Sequence, residues 1–123
     1  MPSLSIQQTA QETGLSIDTL RYYERIGLLA PSRDASSRHR RYSERDLAWI
    51  DFVTKLRSTG MPLAEIHQYI HLYQQGEATQ AQRQRLLEAQ AARVEARIAE
   101  LREALAVIHK KIDGYRKSGR KTA

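Results

Sequence analysis

Leu15-Ser16-Ile17-Asp18-Thr19-Leu20-Arg21-Tyr22-Tyr23-Glu24-Arg25-Ile26-Gly27 is the stretch on which the reading of this chain turns. Ser16 is a side-chain cap for a helix, and Asp18 puts a negative charge in the first turn, where the helix dipole favours it. Gly27 stops the helix. Stepping about 100° per residue from Ile17 places Leu20 and Glu24 on one side of that helix. Asp18, Arg21, Tyr22 and Arg25 fall on the other side. Two guanidinium groups and a phenol on one face suit base edges and phosphates. Tyr23, at the edge of the apolar stripe, reads as core. The alternative for Arg21 and Arg25 is a solvated face with local pairing to Glu.

Upstream, Ser5 caps a first short helix with Ile6 and Ala10 facing inward. Gly14 ends it as a left-handed residue, and Leu15 fills the corner. Two short helices joined through a glycine form a helix-turn-helix, or else an ordinary helical hairpin. Downstream, Leu28 and Leu29 are apolar and Pro31 to Ser37 is rich in turn residues. Arg33, Arg38, Arg40, Arg41 and Arg45 then face only Asp34 and Glu44 over residues 33–45. A basic hairpin placed directly after an arginine-bearing helix reads as a wing that grips the phosphate backbone.

Ser43 opens the next helix with Asp46 three residues on, a short capping box. Leu47, Ile50, Val53 and Leu56 supply its buried stripe, Trp49 and Phe52 add bulk, and Gly60 ends it. Pro62 starts a further helix, whose Leu63, Ile66, Ile70 and Tyr73 predict a packed face. Residues 74–79 read as a linker. From residue 80 a heptad repeat runs through Ala91, Ile98, Leu105 and Ile112, joined by Leu87, Val94, Leu101, Ile108 and Tyr115. Sustained over about four heptads, this pattern predicts a coiled coil. The alternative is a long helix packed on its own head. A parallel pair would set Arg102 near the Arg97 of a second copy, whereas an antiparallel pair lets Glu95 meet Arg102 and Glu88 meet His109. The charges therefore predict an antiparallel two-helix dimer, and they act on specificity more than on strength.

A chain of 123 residues has room for one compact domain and an appendage. Its formal charge of +6 favours a polyanionic partner. Without cysteine, disulfides and thiolate metal sites are excluded. No apolar run approaches the roughly 18 residues of a membrane span, and no signal-type segment is recognised at the start. The expectation is a cytoplasmic, nucleoid-associated protein with no membrane partner. His67 and His71 have the i, i+4 spacing of a two-imidazole metal site. No cysteine completes it, which leaves Glu77 or a second copy as donors, and packing or surface roles are the favoured reading. No triad, phosphate loop or carboxylate pair suggests catalysis, so neither an enzyme nor a cofactor is expected.

The run Leu20-Arg21-Tyr22-Tyr23-Glu24-Arg25-Ile26-Gly27-Leu28-Leu29 closely resembles the recognition-helix signature of the MerR family of transcriptional regulators. The match continues through Pro31, Arg33, Arg40-Arg41-Tyr42-Ser43, Asp46-Leu47 and the Arg57-to-Ile66 stretch, covering the first 73 residues. The resemblance implies a homodimer on a palindromic promoter with an overlong spacer. Such a dimer bends and untwists the DNA so that RNA polymerase can engage both promoter elements, a form of indirect readout. It also implies groove and phosphate contacts from Arg21 and Tyr22 and wing contacts from Arg40 and Tyr42. Arg38 and His39 depart from the Gly-Tyr more usual in the family. Leu56-Arg57-Ser58-Thr59-Gly60-Met61-Pro62-Leu63 and the Ile112-Asp113-Gly114-Tyr115 ending resemble the small aldehyde- and nitrosative-stress-responsive branch. Lys55 stands where that branch commonly has its sensor cysteine. Little chain follows the heptads, so no separate drug-binding module is expected.

These readings combine into an all-α fold with a minor β-hairpin wing. A winged helix-turn-helix head (1–73; recognition helix about 16–26, wing about 28–42, second helix pair about 43–73) is followed by a linker (74–79). A dimerising antiparallel coiled-coil helix (80–115) and a flexible basic tail (116–123) complete the chain. The expected DNA-contact set is Ser16, Asp18, Thr19, Arg21, Tyr22, Arg25, Arg38, His39, Arg40 and Tyr42. The expected dimer seam is Leu87, Val94, Ile98, Leu101, Leu105, Ile108 and Ile112. The competing function is a coiled-coil architectural protein that binds nucleic acid without sequence preference; a metal-dependent regulator is a third.

Overall fold

The computed structural model describes residues 3–122, with side chains to residue 119. Met1, Pro2 and Ala123 lie outside the described residues, as do the side chains of the last stretch of the expected tail. The chain divides between Arg83 and Gln84 into two units.

The first unit begins with α1 (Ile6–Thr13) and α2 (Ile17–Arg25). Ser5 Oγ accepts from the Gln8 amide while the Gln8 side chain accepts from the Ser5 amide, closing a capping box on α1. Gly14 ends that helix at φ 74°, a left-handed conformation that costs glycine little. Ser16 Oγ accepts from the Thr19 amide to cap α2. The chain then turns at Gly27 (φ +84°), where the Gln74 amide nitrogen donates 2.8 Å to the Gly27 carbonyl. A Cβ at Gly27 would stand 2.6 Å from that nitrogen and push the end of the Gln74 side chain aside, while the positive φ itself calls for glycine.

β1 (Ser32–Arg33) and β2 (Arg40–Arg41) form an antiparallel hairpin with Ser32 opposite Arg41 and Arg33 opposite Arg40. Leu4 bridges Tyr42, each donating its amide to the other's carbonyl at 2.8 Å, so the start of the chain lies along the wing root. α3 (Glu44–Ser58) carries the expected capping box between Ser43 and Asp46. α4 (Leu63–Gln74) starts after Pro62. The core gathers Leu20, Tyr23, Leu28, Leu29, Tyr42, Ile50, Val53, Met61, Ile66 and Ile70. Ile6, Ala10, Leu15 and Leu56 pack at its edge.

Three expectations change. Leu63 and Tyr73 are 39% and 44% exposed, and Tyr69 takes their place beside Ile66 and Ile70, because the packed face of α4 is rotated from the one its apolar spacing suggested. Residues 74–79 are structured: α4 ends within them and a 3-10 turn (Glu77–Thr79) follows. There the buried Thr79 hydroxyl donates to the Leu72 carbonyl at 2.6 Å, tying the segment to the helix before it. The final helix, α5 (Gln80–Thr122), continues past the boundary expected at 115. Gly114 and Gly119 do not interrupt it, since single glycines among good helix formers cost only about 1 kcal/mol each.

The second unit is the α5 helix from Gln84 onward. Ile98, Leu101, Leu105, Ile108 and Ile112 form a stripe along it, each between 38% and 54% exposed. No described helix is long and apolar enough to cross a membrane.

Candidate nucleic-acid interface

α2 divides its side chains between core and surface as its spacing requires. Leu20 and Tyr23 are buried, and burial raises the Tyr23 phenol above its ordinary value. Asp18, Arg21 and Arg25 are exposed. Neither arginine has an ion-pair partner among the described residues; Arg25 lies over the Tyr22 ring, 5.8 Å from its centroid. The alternative of local Glu pairing does not hold, because Glu24 is engaged elsewhere. Its carboxylate takes Arg40 Nε from β2 and Arg33, at 3.6 Å, from β1. Arg21 and Arg25 are thus exposed and without a carboxylate partner among the described residues, so an anion can take them.

Each expected contact residue has a definite place. Ser16 and Thr19 are joined hydroxyl to hydroxyl at 2.9 Å and serve the cap of α2. Tyr22 is half-buried, its phenol 3.1 Å from His67 Nε2 on α4, so it lies on a flank of the helix and not at its crest. Arg38 and His39 are exposed at the wing tip. Arg38 adopts φ 64°, the one described non-glycine residue at positive φ. The turn is set by Asp34, whose carboxylate accepts from the Ser36 hydroxyl and from the Ser36 and Ser37 amides. Those hydrogen bonds hold its carboxyl at about 2, well below the ordinary value. Arg40 is half-buried against Glu24 and braces the wing.

Tyr42 requires a correction. It was expected as a wing contact, but its side chain is 0% exposed in the core. The bridge to Leu4 fixes the strand so that Tyr42 points inward while Arg41 reaches sideways, its guanidinium donating to the Ser3 hydroxyl and carbonyl at 3.0 and 2.8 Å. Burial pushes the Tyr42 phenol up from its ordinary value.

The two histidines whose spacing allowed a metal site, though packing or surface roles were favoured, meet other partners. His67 meets Tyr22, and His71 Nε2 lies 2.9 Å from the Gln75 amide. No group of three or more His, Cys, Asp or Glu residues able to hold a metal gathers among the described residues. Lys55, in place of the cysteine, makes an exposed ion pair with Asp51 at 2.8 Å. Glu24 is the functional candidate that sequence reasoning missed, and the Tyr22 contact of His67, a residue weighed there only as a metal donor, was not foreseen. Glu24 sits on the apolar side of α2 by periodicity, and its partners lie up to 16 residues away in sequence.

An exposed arginine row on a capped second helix, beside a basic hairpin, defines a winged helix-turn-helix DNA-binding head. Residues 4–72 match the family described as MerR HTH family regulatory protein, and residues 47–110 match the one described as MerR, DNA binding. The chain belongs to the MerR family of DNA-binding transcriptional regulators. It is 37% identical over 84 residues to the HTH-type transcriptional regulator AdhR of Bacillus subtilis, a match covering 68% of this chain and 60% of that protein. A Haemophilus influenzae HTH-type transcriptional regulator is 32% identical over 111 residues, covering 90% of this chain and 82% of the relative. Among solved structures, a MerR family regulator from Listeria monocytogenes superposes with a TM-score of 0.83 at 38% identity, over 92% of this chain and 86% of that one. HiNmlR, a MerR family regulator lacking the sensor domain and bound to promoter DNA, superposes with a TM-score of 0.82 at 33% identity, over 94% and 91%.

Proposed function

We propose that this protein is a homodimeric promoter-binding regulator whose two heads hold a palindromic site and distort the spacer DNA between them. The observation that carries this reading is the pair of exposed arginines on α2, Arg21 and Arg25, without an ion-pair partner among the described residues, set beside an exposed basic wing tip at Arg38 and His39. Arg21 and Arg25 enter the major groove; Arg38 and His39 take backbone phosphates. Ser16, Asp18, Thr19 and Tyr22 complete the contact surface from the first turn and flank of α2.

The dimer is proposed from α5. A helix with a continuous apolar stripe along its length calls for a partner that covers it. The seam of Leu87, Val94, Ile98, Leu101, Leu105, Ile108 and Ile112 pairs antiparallel, with Glu95 facing Arg102 and Glu88 facing His109 of the second copy. Two heads then address two half-sites about one helical turn, or a multiple of it, apart. Bending or untwisting the intervening base pairs makes output depend on deformation energy, and RNA polymerase reads the altered spacing. The action is one of binding without a catalytic step, and its place in the cell is on cytoplasmic, nucleoid DNA.

Selection of bound duplexes from a random pool tests the reading. A palindromic consensus is expected. Equal recovery of all sequences with a steep salt dependence would replace it with a nonspecific architectural role.

A further inference from the structure

We propose that Glu24 is a positioning residue that clasps the wing to the recognition helix, and that sequence discrimination depends on this clasp. The inference rests on the DNA-binding reading above and adds a role for a residue that does not touch DNA. Glu24 lies half-buried on the side of α2 away from Arg21 and Arg25, where a carboxylate costs free energy unless it serves a purpose. Its partners show what that is. Arg33 arrives from β1 and Arg40 from β2, so both strands of the hairpin converge on one carboxylate of α2. The Glu24 and Arg40 side chains are only 22% and 28% exposed, which shields the pair from the solvent screening that weakens surface ion pairs.

The clasp also reaches the tip. Arg33 Nη1 donates to the Arg38 carbonyl at 3.3 Å while its other terminal nitrogen faces Glu24. One side chain thus links the helix to the residue held at positive φ beside His39. The hairpin has two paired positions and the Leu4 bridge holds its root at Tyr42, so beyond that root both strands are tied to α2 through the Glu24 carboxylate. With the clasp closed, the groove contacts of Arg21 and Arg25 and the phosphate contacts of the tip keep a fixed separation. Preorganised contacts favour a duplex of one shape over others, and loose contacts do not.

Glu24→Gln tests this because the clasp and simple electrostatics predict opposite signs. Removing a negative charge near DNA should tighten binding to every sequence. Loss of the clasp should instead weaken binding to the selected duplex by about tenfold, the effect of one charge-assisted hydrogen bond. Affinity for unrelated duplex should stay level or rise. Hydrogen exchange of the wing amides in the free protein should quicken. Equal or tighter binding to the selected duplex overturns the proposal. A parallel fall in both affinities together with a lower melting temperature also overturns it, assigning Glu24 a general folding role. If the wild-type protein prefers no duplex, the DNA-binding reading fails first. Wing exchange then decides the clasp alone: faster in Glu24→Gln supports it, unchanged rejects it.

Discussion

Replacing Tyr42 by Phe separates a core role from a DNA-contact role at the residue where sequence and structure diverge most. The phenol oxygen is buried and has no hydrogen-bond partner among the described residues, while the ring fills the core between the wing root and α2. A buried polar group without a partner costs about 1–3 kcal/mol, and replacing it by an apolar group of the same shape removes that cost. The ring keeps its packing, and the space left by one oxygen subtracts little from the gain. Tyr42→Phe should therefore stabilise the protein by about 1 kcal/mol, taking the lower end of that range. Urea unfolding at one fixed protein concentration reads this as a higher midpoint with unchanged slope; the concentration is fixed because the proposed dimer would feed into apparent stability. Affinity for the selected duplex should change by less than about twofold, since a buried phenol makes no phosphate bond. Destabilisation, or a tenfold loss of DNA affinity at unchanged stability, would refute the placement of Tyr42.

Arg21→Ala should weaken binding to the selected duplex by about 1–3 kcal/mol and relax preference at the base it contacts, read by fluorescence anisotropy against single-base variants of the site. Leu101→Glu puts a charge into the apolar stripe of both copies; sedimentation should show monomers, and DNA affinity should fall by about 100-fold as the two half-sites become independent. The wing turn has its own pH signature. Asp34 titrates at about 2 when folded, below its ordinary 3.8, so its contribution is full above pH 3.8 and is lost as pH falls through about 2. The Ser36 and Ser37 amides, followed by NMR, should therefore hold their shifts as pH falls to about 4 and move as it falls on toward 2, and Asp34→Asn should loosen the turn at neutral pH.

Local chemistry was legible in the sequence. Ser5, Ser16 and Ser43 cap their helices as read, and Gly14 takes the left-handed turn, because each depends on neighbours within about four residues. The split of α2 into Leu20 and Tyr23 inside and Arg21 and Arg25 outside followed from helical period alone. Features that depend on distant chain were not legible. Tyr42 is turned inward by Leu4, and Glu24 is claimed by both strands of a hairpin whose pairing no local rule specifies. The spacing of Leu63 and Tyr73 fits a helix stripe as well as Tyr69 does, and only packing chooses between them. The heptads of α5 gave its apolar stripe, because helical period alone sets which residues share a face.

Hydroxyl-radical footprinting of the wild-type protein on its selected duplex distinguishes a distorting dimer from any other mode of binding. Two protected half-sites related by a dyad are expected, with enhanced cleavage of the unprotected base pairs between them. A single protected patch, or two patches around a centre that cleaves like free DNA, would contradict a dimer that works by distorting its site.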